Sequence, residues 1–102
     1  MPVKPEVSAD GKTITVKVSG RFDFAVQNEF RDCYYNAGSE GNIKFVIDMS
    51  GTNYMDSSAL GMLLMMRECL GGSLADISIV SCSPDIKNIL TVANFQSLFN
   101  MG

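Results

Sequence analysis

Between residues 42 and 64 the hydrophobic pattern changes twice, and that double change narrows what the chain can fold into. Phe45-Val46-Ile47 is a short apolar run rich in β-formers that ends at Asp48, with turn residues beyond it, as a buried strand does. A polar crossing follows. Asp56-Ser57-Ser58 then stands directly before a long run of helix formers, the pattern of a helix N-cap. The first turn of such a helix leaves backbone N–H groups free and carries the positive end of the helix dipole. A serine hydroxyl there is exposed, oriented and placed where a phosphate could be held.

The rest of the chain falls into order around this unit. Residues 3–7 and 13–18 read as a hairpin: Asp10-Gly11 is a turn signal, and Ile14, Val16 and Val18 alternate with Thr15 and Lys17. Ser19-Gly20-Arg21 breaks that alternation. Residues 24–37 change to helical spacing, with Val26, Phe30, Cys33, Tyr34 and Ala37 on one face and Asp23 placed to cap them. Gly38-Ser39-Glu40-Gly41 stops this helix. As a right-handed crossover it would lay the strand at 45–47 parallel to the second strand.

A second helix over about 57–70 is apolar on nearly all sides, and Gly71-Gly72 ends it. In a domain this small it cannot be surrounded, so some of Met62, Met65 and Met66 are expected near the surface. A short strand at 77–80 precedes a third helix, which starts at Ser83-Pro84-Asp85 and carries Ile86, Ile89, Leu90 and Ala93 as its stripe. Residues 95–99 read as a short edge strand. The order ββαβαβα(β) predicts an α/β sandwich, with helices over a mixed sheet, built as a single domain over residues 1–102.

Composition removes several function classes. A length of 102 residues with 46% apolar content supports one core. The net charge of −3, with no basic cluster, argues against binding nucleic acid directly. The N-terminal residues contain no apolar export segment, and the apolar run at 60–66 is far short of the roughly 20 residues of a membrane span. A cytoplasmic domain without membrane insertion is expected. The chain has no histidine, which removes Ser-His-Asp and Cys-His catalysis and the commonest metal ligand. Cys33, Cys69 and Cys82 show neither disulfide nor zinc spacing and read as small apolar packing residues. No catalytic residue, metal site or cofactor is expected, and an enzyme is disfavoured.

Three groups remain as candidate sites. Ser57 and Ser58 are either N-cap residues alone or, with Asp56 beside them, a modifiable hydroxyl at a helix start. Asp48 and Asp56 could form an acid/base or phospho-acceptor pair, but the acidic metal-binding pair that receiver-type chemistry needs is missing after the first strand, so Asp48 is expected to satisfy loop amides. The methionines of the second helix are core fillers in part, and the exposed ones form an adaptable docking face.

Several of these residues resemble a known family. The apolar strand, Asp48-Met49-Ser50-Gly51, and Met55-Asp56-Ser57-Ser58-Ala59-Leu60-Gly61 are similar to the central signature of STAS domains, and more narrowly of bacterial anti-sigma factor antagonists (anti-anti-sigma factors). Val18-Ser19-Gly20-Arg21-Phe22-Asp23 resembles the family's second-strand motif, and 79–95 its later strand–helix segment. The resemblance covers nearly the whole chain in order. It implies a STAS-like α/β fold: a mixed β-sheet of four to five strands packed against three or more helices.

It also implies a partner-switching regulator of transcription. Such proteins bind an anti-sigma factor, often itself a serine kinase, and thereby free a sigma factor. Phosphorylation of the serine after the motif's aspartate blocks binding, and a serine phosphatase restores it. Carried onto this chain, the acceptor is Ser57, with Ser58 as second choice, and Asp23 matches the family's aspartate near the acceptor. The partner-binding set is Asp23, Asp56, Ser57, Ser58, Met62 and Met65. Ala59 departs from the glycine of many members and favours the helix, while the additional terminal helix of some members is expected to be absent. A homodimer through the methionine face stays open. The competing reading is a STAS subunit of a lipid-trafficking ABC transport complex, which would use the same apolar helix permanently and without phosphorylation.

Overall fold

The computed structural model describes residues 2–35 and 43–101. Val3–Val7 (β1) and Thr13–Phe22 (β2) pair antiparallel in the expected hairpin, with Val3 opposite Val18 and Val7 opposite Ile14. Asp10 closes the turn, its carboxylate accepting from the Ser8 hydroxyl (2.6 Å) and the Lys12 N–H (3.0 Å). Among the described residues five strands form one sheet in the order β1-β2-β3-β4-β5, and every pairing after the first is parallel. Because each parallel connection steps the same way along the sheet, right-handed crossovers put the helices on one face.

β2 does not stop at Val18. It continues through Ser19-Gly20-Arg21 to Phe22 beside Lys44–Met55 (β3), with register shifts between Lys17 and Ser19 and between Gly20 and Arg21. The broken alternation is a bulged strand and not a strand end. Gly20 takes a left-handed φ of 73°, and at Gly51 a Cβ would stand 2.9 Å from the Ser19 Cβ, so both irregular positions favour a residue without a side chain. Thr52, buried among apolar groups, donates its hydroxyl to the Val18 carbonyl at 2.9 Å and satisfies an acceptor that the bulge would otherwise strand.

The same shift explains why β3 is longer than the expected 45–47. Phe45, Ile47 and Met49 are buried with a period of two, but the next buried positions are Thr52 and Met55, three apart. What reads as a polar crossing in one dimension is the second half of the central strand.

A 3-10 turn, Phe24–Val26, follows β2 and leads into α1, Gln27–Asp32. Val26, Phe30, Cys33 and Tyr34 are buried on the expected face, with the Phe30 ring 5.1 Å from Phe22 and 5.8 Å from Tyr34. Ala37 and the glycine-containing stop at 38–41 lie outside the described residues. α2, Ser57–Cys69, buries Ala59, Met62, Leu63 and Met66 against the sheet. Gly71 and Gly72 lead out of it towards Ile77–Val80 (β4).

α3, Pro84–Val92, opens as expected, with Pro84 in its first turn and the Ser83 hydroxyl accepting from the Ile86 N–H at 3.3 Å. Residues 95–99 are not the edge strand. Asn94 turns left-handed after α3, Phe95–Ser97 forms a 3-10 turn, and the edge strand β5 is Asn100–Met101. The Phe99 N–H reaches the Phe95 carbonyl at 2.9 Å, and the two buried rings stack at 5.2 Å. A four-residue spacing of aromatics is a turn of helix, not a strand.

Candidate functional site at the start of α2

β2, β3 and β4 run parallel, so their C-terminal ends share one edge of the sheet, and α1, α2 and α3 set out from there. Open α/β sheets place their sites along this edge. Arg21 pairs with Tyr54 and Phe22 with Met55 across the last rungs of β2 and β3, which brings the caps that follow, Asp23 and Asp56, to the same corner.

Asp56 is extended (φ −132°, ψ −172°), and its Oδ1 accepts from the N–H groups of Ser58 (3.0 Å) and Ala59 (3.3 Å). The Ser58 hydroxyl donates to the same oxygen at 2.5 Å, and the Tyr54 hydroxyl donates to Oδ2 at 3.3 Å. These donors, the Ser58 hydroxyl foremost, hold the Asp56 carboxyl below the ordinary carboxylate range. Asp23 is arranged likewise: Oδ1 accepts from the Ala25 N–H at 3.0 Å, and Oδ2 lies 3.3 Å from the Arg21 Nε.

The two serines are thereby told apart. Ser58 is half-buried with its hydroxyl committed to Asp56, whereas Ser57 is exposed and its hydroxyl takes no part in the bonds at the cap. One and two helical turns beyond Ser57, the outward face carries Gly61, Leu64 and Met65. Met65 is 61% exposed and Leu64 40%. Met62, expected at this face, is only 7% exposed and belongs to the core, as does Met66. The i, i+3 geometry turns Met62 inward with Ala59 and Met66. Beside Met65, Cys69 is exposed on the rim of a groove of about 250 Å³ between α1 and α2, so it is not the packing residue expected. Cys33 is one: burial pushes its thiol up to about 11.

The sequence model of the family described as "Mlab, STAS domain" matches residues 6–100. A STAS-domain containing protein of Pseudomonas aeruginosa (strain UCBPP-PA14) is 44% identical over 94 residues, 92% of either chain. The chain belongs to the STAS domain family.

The fold of this STAS domain is shared with solved anti-sigma factor antagonists. The unphosphorylated form of SpoIIAA superposes with a TM-score of 0.75 at 19% identity, over 98% of this chain and 86% of that one. The phosphorylated form of SpoIIAA, a Bacillus cell fate determinant, gives 0.74 at 16%, over 98% and 90%. An anti-sigma factor antagonist from Mycobacterium paratuberculosis gives 0.78 at 19%, over 97% and 84%.

In this STAS domain Asp23, Asp56, Ser57 and Ser58 meet at one corner, and Met65 lies two turns along α2 from them. Asp48 stands apart, its carboxylate accepting from the Ser50 N–H at 2.9 Å; both residues lie within β3, so the amide it satisfies belongs to the strand and not to the loop expected after it. Arg21, Tyr54 and Leu64 join the corner or its outward face without having been singled out from the sequence. The signal for Arg21 and Tyr54 was present as equal distance from their caps, each two residues before an aspartate, but only the register makes them neighbours. Among the described residues no group of three or more His, Cys, Asp or Glu is placed to hold a metal, and no helix is long and apolar enough to cross a membrane.

Proposed function

We infer that this STAS domain is an anti-sigma factor antagonist working by partner switching. Unmodified, the outward face at the start of α2 docks on an anti-sigma factor of the serine-kinase type; phosphorylated on Ser57, it lets go, and a serine phosphatase resets it. In this reading the chain acts as a single cytoplasmic domain, catalyses nothing itself and needs no cofactor. The observation that carries it is the division of labour between the serines: Asp56 locks Ser58 into the cap and leaves the Ser57 hydroxyl exposed at the head of the Gly61, Leu64 and Met65 stripe.

The chemistry suits a switch. A phosphoryl group adds about 1.5 to 2 negative charges. The positive end of the α2 dipole favours charge at that position, so the helix survives it. A partner seated on Leu64 and Met65 would have to desolvate the same charge, which is costly, so docking does not survive it.

Exposure of Leu64 and Met65 equally suits a permanent subunit of a transport complex. Mass spectrometry of the protein from its own cells, with and without phosphatase, separates the two. A phosphatase-sensitive phosphate on Ser57, with Ser57→Asp losing and Ser57→Ala keeping affinity for a kinase-type anti-sigma factor of the same cells, is the expected result. Wild-type binding by both variants and no phosphate in any growth condition would leave the permanent subunit.

A further inference from the structure

Arg21 is the charged group of this corner to which the switch described above gives no role. Its side chain is 64% exposed, yet it is restrained on two sides. On one side its Nε meets Asp23 at 3.3 Å, a single contact through one of its five donors. On the other, the guanidinium carbon lies 3.9 Å from the centroid of the Tyr54 ring, and the hydroxyl of that ring is bonded to Asp56, the residue before Ser57. Arg21 and Tyr54 are partners across β2 and β3, so the cation rests against the strand that runs directly into the cap of α2.

The balance of charge makes this placement consequential. Asp23 and Asp56 bring carboxylates to the corner, and a phosphoryl group on Ser57 would add nearly two further negative charges beside them. The exposed Arg21–Asp23 contact is worth little in water. A phosphate offers the guanidinium a stronger, forked set of acceptors.

We propose that Arg21 is the intramolecular cation for phosphate on Ser57: still resting on Tyr54, the guanidinium turns its N–H groups from Asp23 to the phosphoryl oxygens. The proposal rests on Ser57 being the modified hydroxyl. It gives the modification a second effect, because Asp23 loses its cationic partner and, still capping through the Ala25 N–H, stands as an unneutralised carboxylate before α1. One phosphorylation thus changes charge on two elements of the docking corner.

The test is a phosphorus NMR pH titration of the full chain carrying phosphoserine at position 57, as wild type and with Arg21→Gln or Arg21→Lys. The second ionisation of the phosphate, ordinarily near ~6, is expected lower in wild type than in Arg21→Gln by roughly one pH unit, with Arg21→Lys in between. In the unmutated chain the Arg21 Nε–H signal is expected to shift on phosphorylation and to follow the phosphate's titration. Equal ionisation in wild type and Arg21→Gln, or an Nε–H signal that stays still, overturns the proposal. Neither measurement involves a partner. Failure of this contact leaves partner switching standing, and failure of the Ser57 variants to alter partner binding leaves the contact standing.

Discussion

Gly61 lies inside α2 on its exposed face, and a Cβ built there meets no atom within 4 Å. A glycine in a helix interior is less favourable than alanine by about 0.8–1.0 kcal/mol, because the unfolded chain keeps more backbone freedom. With nothing for the methyl to strike, Gly61→Ala is expected to stabilise the domain by about that amount. In a domain near the size of this 102-residue chain, about 1 kcal/mol raises Tm by roughly 4–8 °C. Calorimetry gives the shift directly, and urea unfolding should show a higher midpoint with an unchanged slope. An unchanged or lower Tm would refute the reasoning, since it would mean that the methyl meets something or that this turn of α2 is not helical. The same variant separates folding from docking. Gly61 stands one turn from Ser57 and one from Met65, so a partner seated on that stripe is expected to bind Gly61→Ala more weakly even as the fold gains.

Gly51 should respond with the opposite sign. Gly51→Ala places a Cβ 2.9 Å from the Ser19 Cβ and 3.3 Å from its Cα at the β2–β3 bulge, and is expected to cost about 1–3 kcal/mol, read as a lower Tm. Asp56 makes stability depend on pH. Its carboxyl is held below the ordinary 3.8, chiefly by the Ser58 hydroxyl, so its contribution is present in full above that value and is lost as pH falls through the lowered one. Asp56→Asn keeps a capping side chain without the titration. Its Tm difference from wild type should therefore be largest near neutrality and shrink below about pH 4; a difference independent of pH would show that the cap charge carries no stability.

Where the fold was legible in the sequence, the signals were local. Asp10-Gly11, Asp56 and Ser83-Pro84 each direct backbone within a few residues, and the structure has the hairpin turn and the starts of α2 and α3 where those residues stand, whereas Asp23 caps the 3-10 turn Phe24–Val26 that leads into α1 and not α1 itself. The strand that forms the middle of the sheet was only partly legible. Its second half has a period of three because its neighbour is bulged, and alternation cannot reveal a strand whose partner has shifted register. The edge strand lies a few residues beyond the expected 95–99 for a related reason: Phe95 and Phe99 are β-formers by type, but Asn94 in a left-handed turn winds them into helical spacing.

The candidate site divides along the same line. Asp56-Ser57-Ser58 before an apolar run is enough to announce a helix start that carries hydroxyls, since capping is a contest among neighbouring donors and acceptors. Which serine stays free was decided in three dimensions, by the Ser58 hydroxyl closing on Asp56. Which methionine faces outward depends on where the sheet lies. A helix apolar on nearly all sides gives its sequence little to orient it by, and packing on the sheet turned Met62 in and Met65 out. Arg21 and Tyr54 met for the same reason: they are far apart in the chain, and the parallel register of β2 and β3 is what laid a cation on the ring beside the cap.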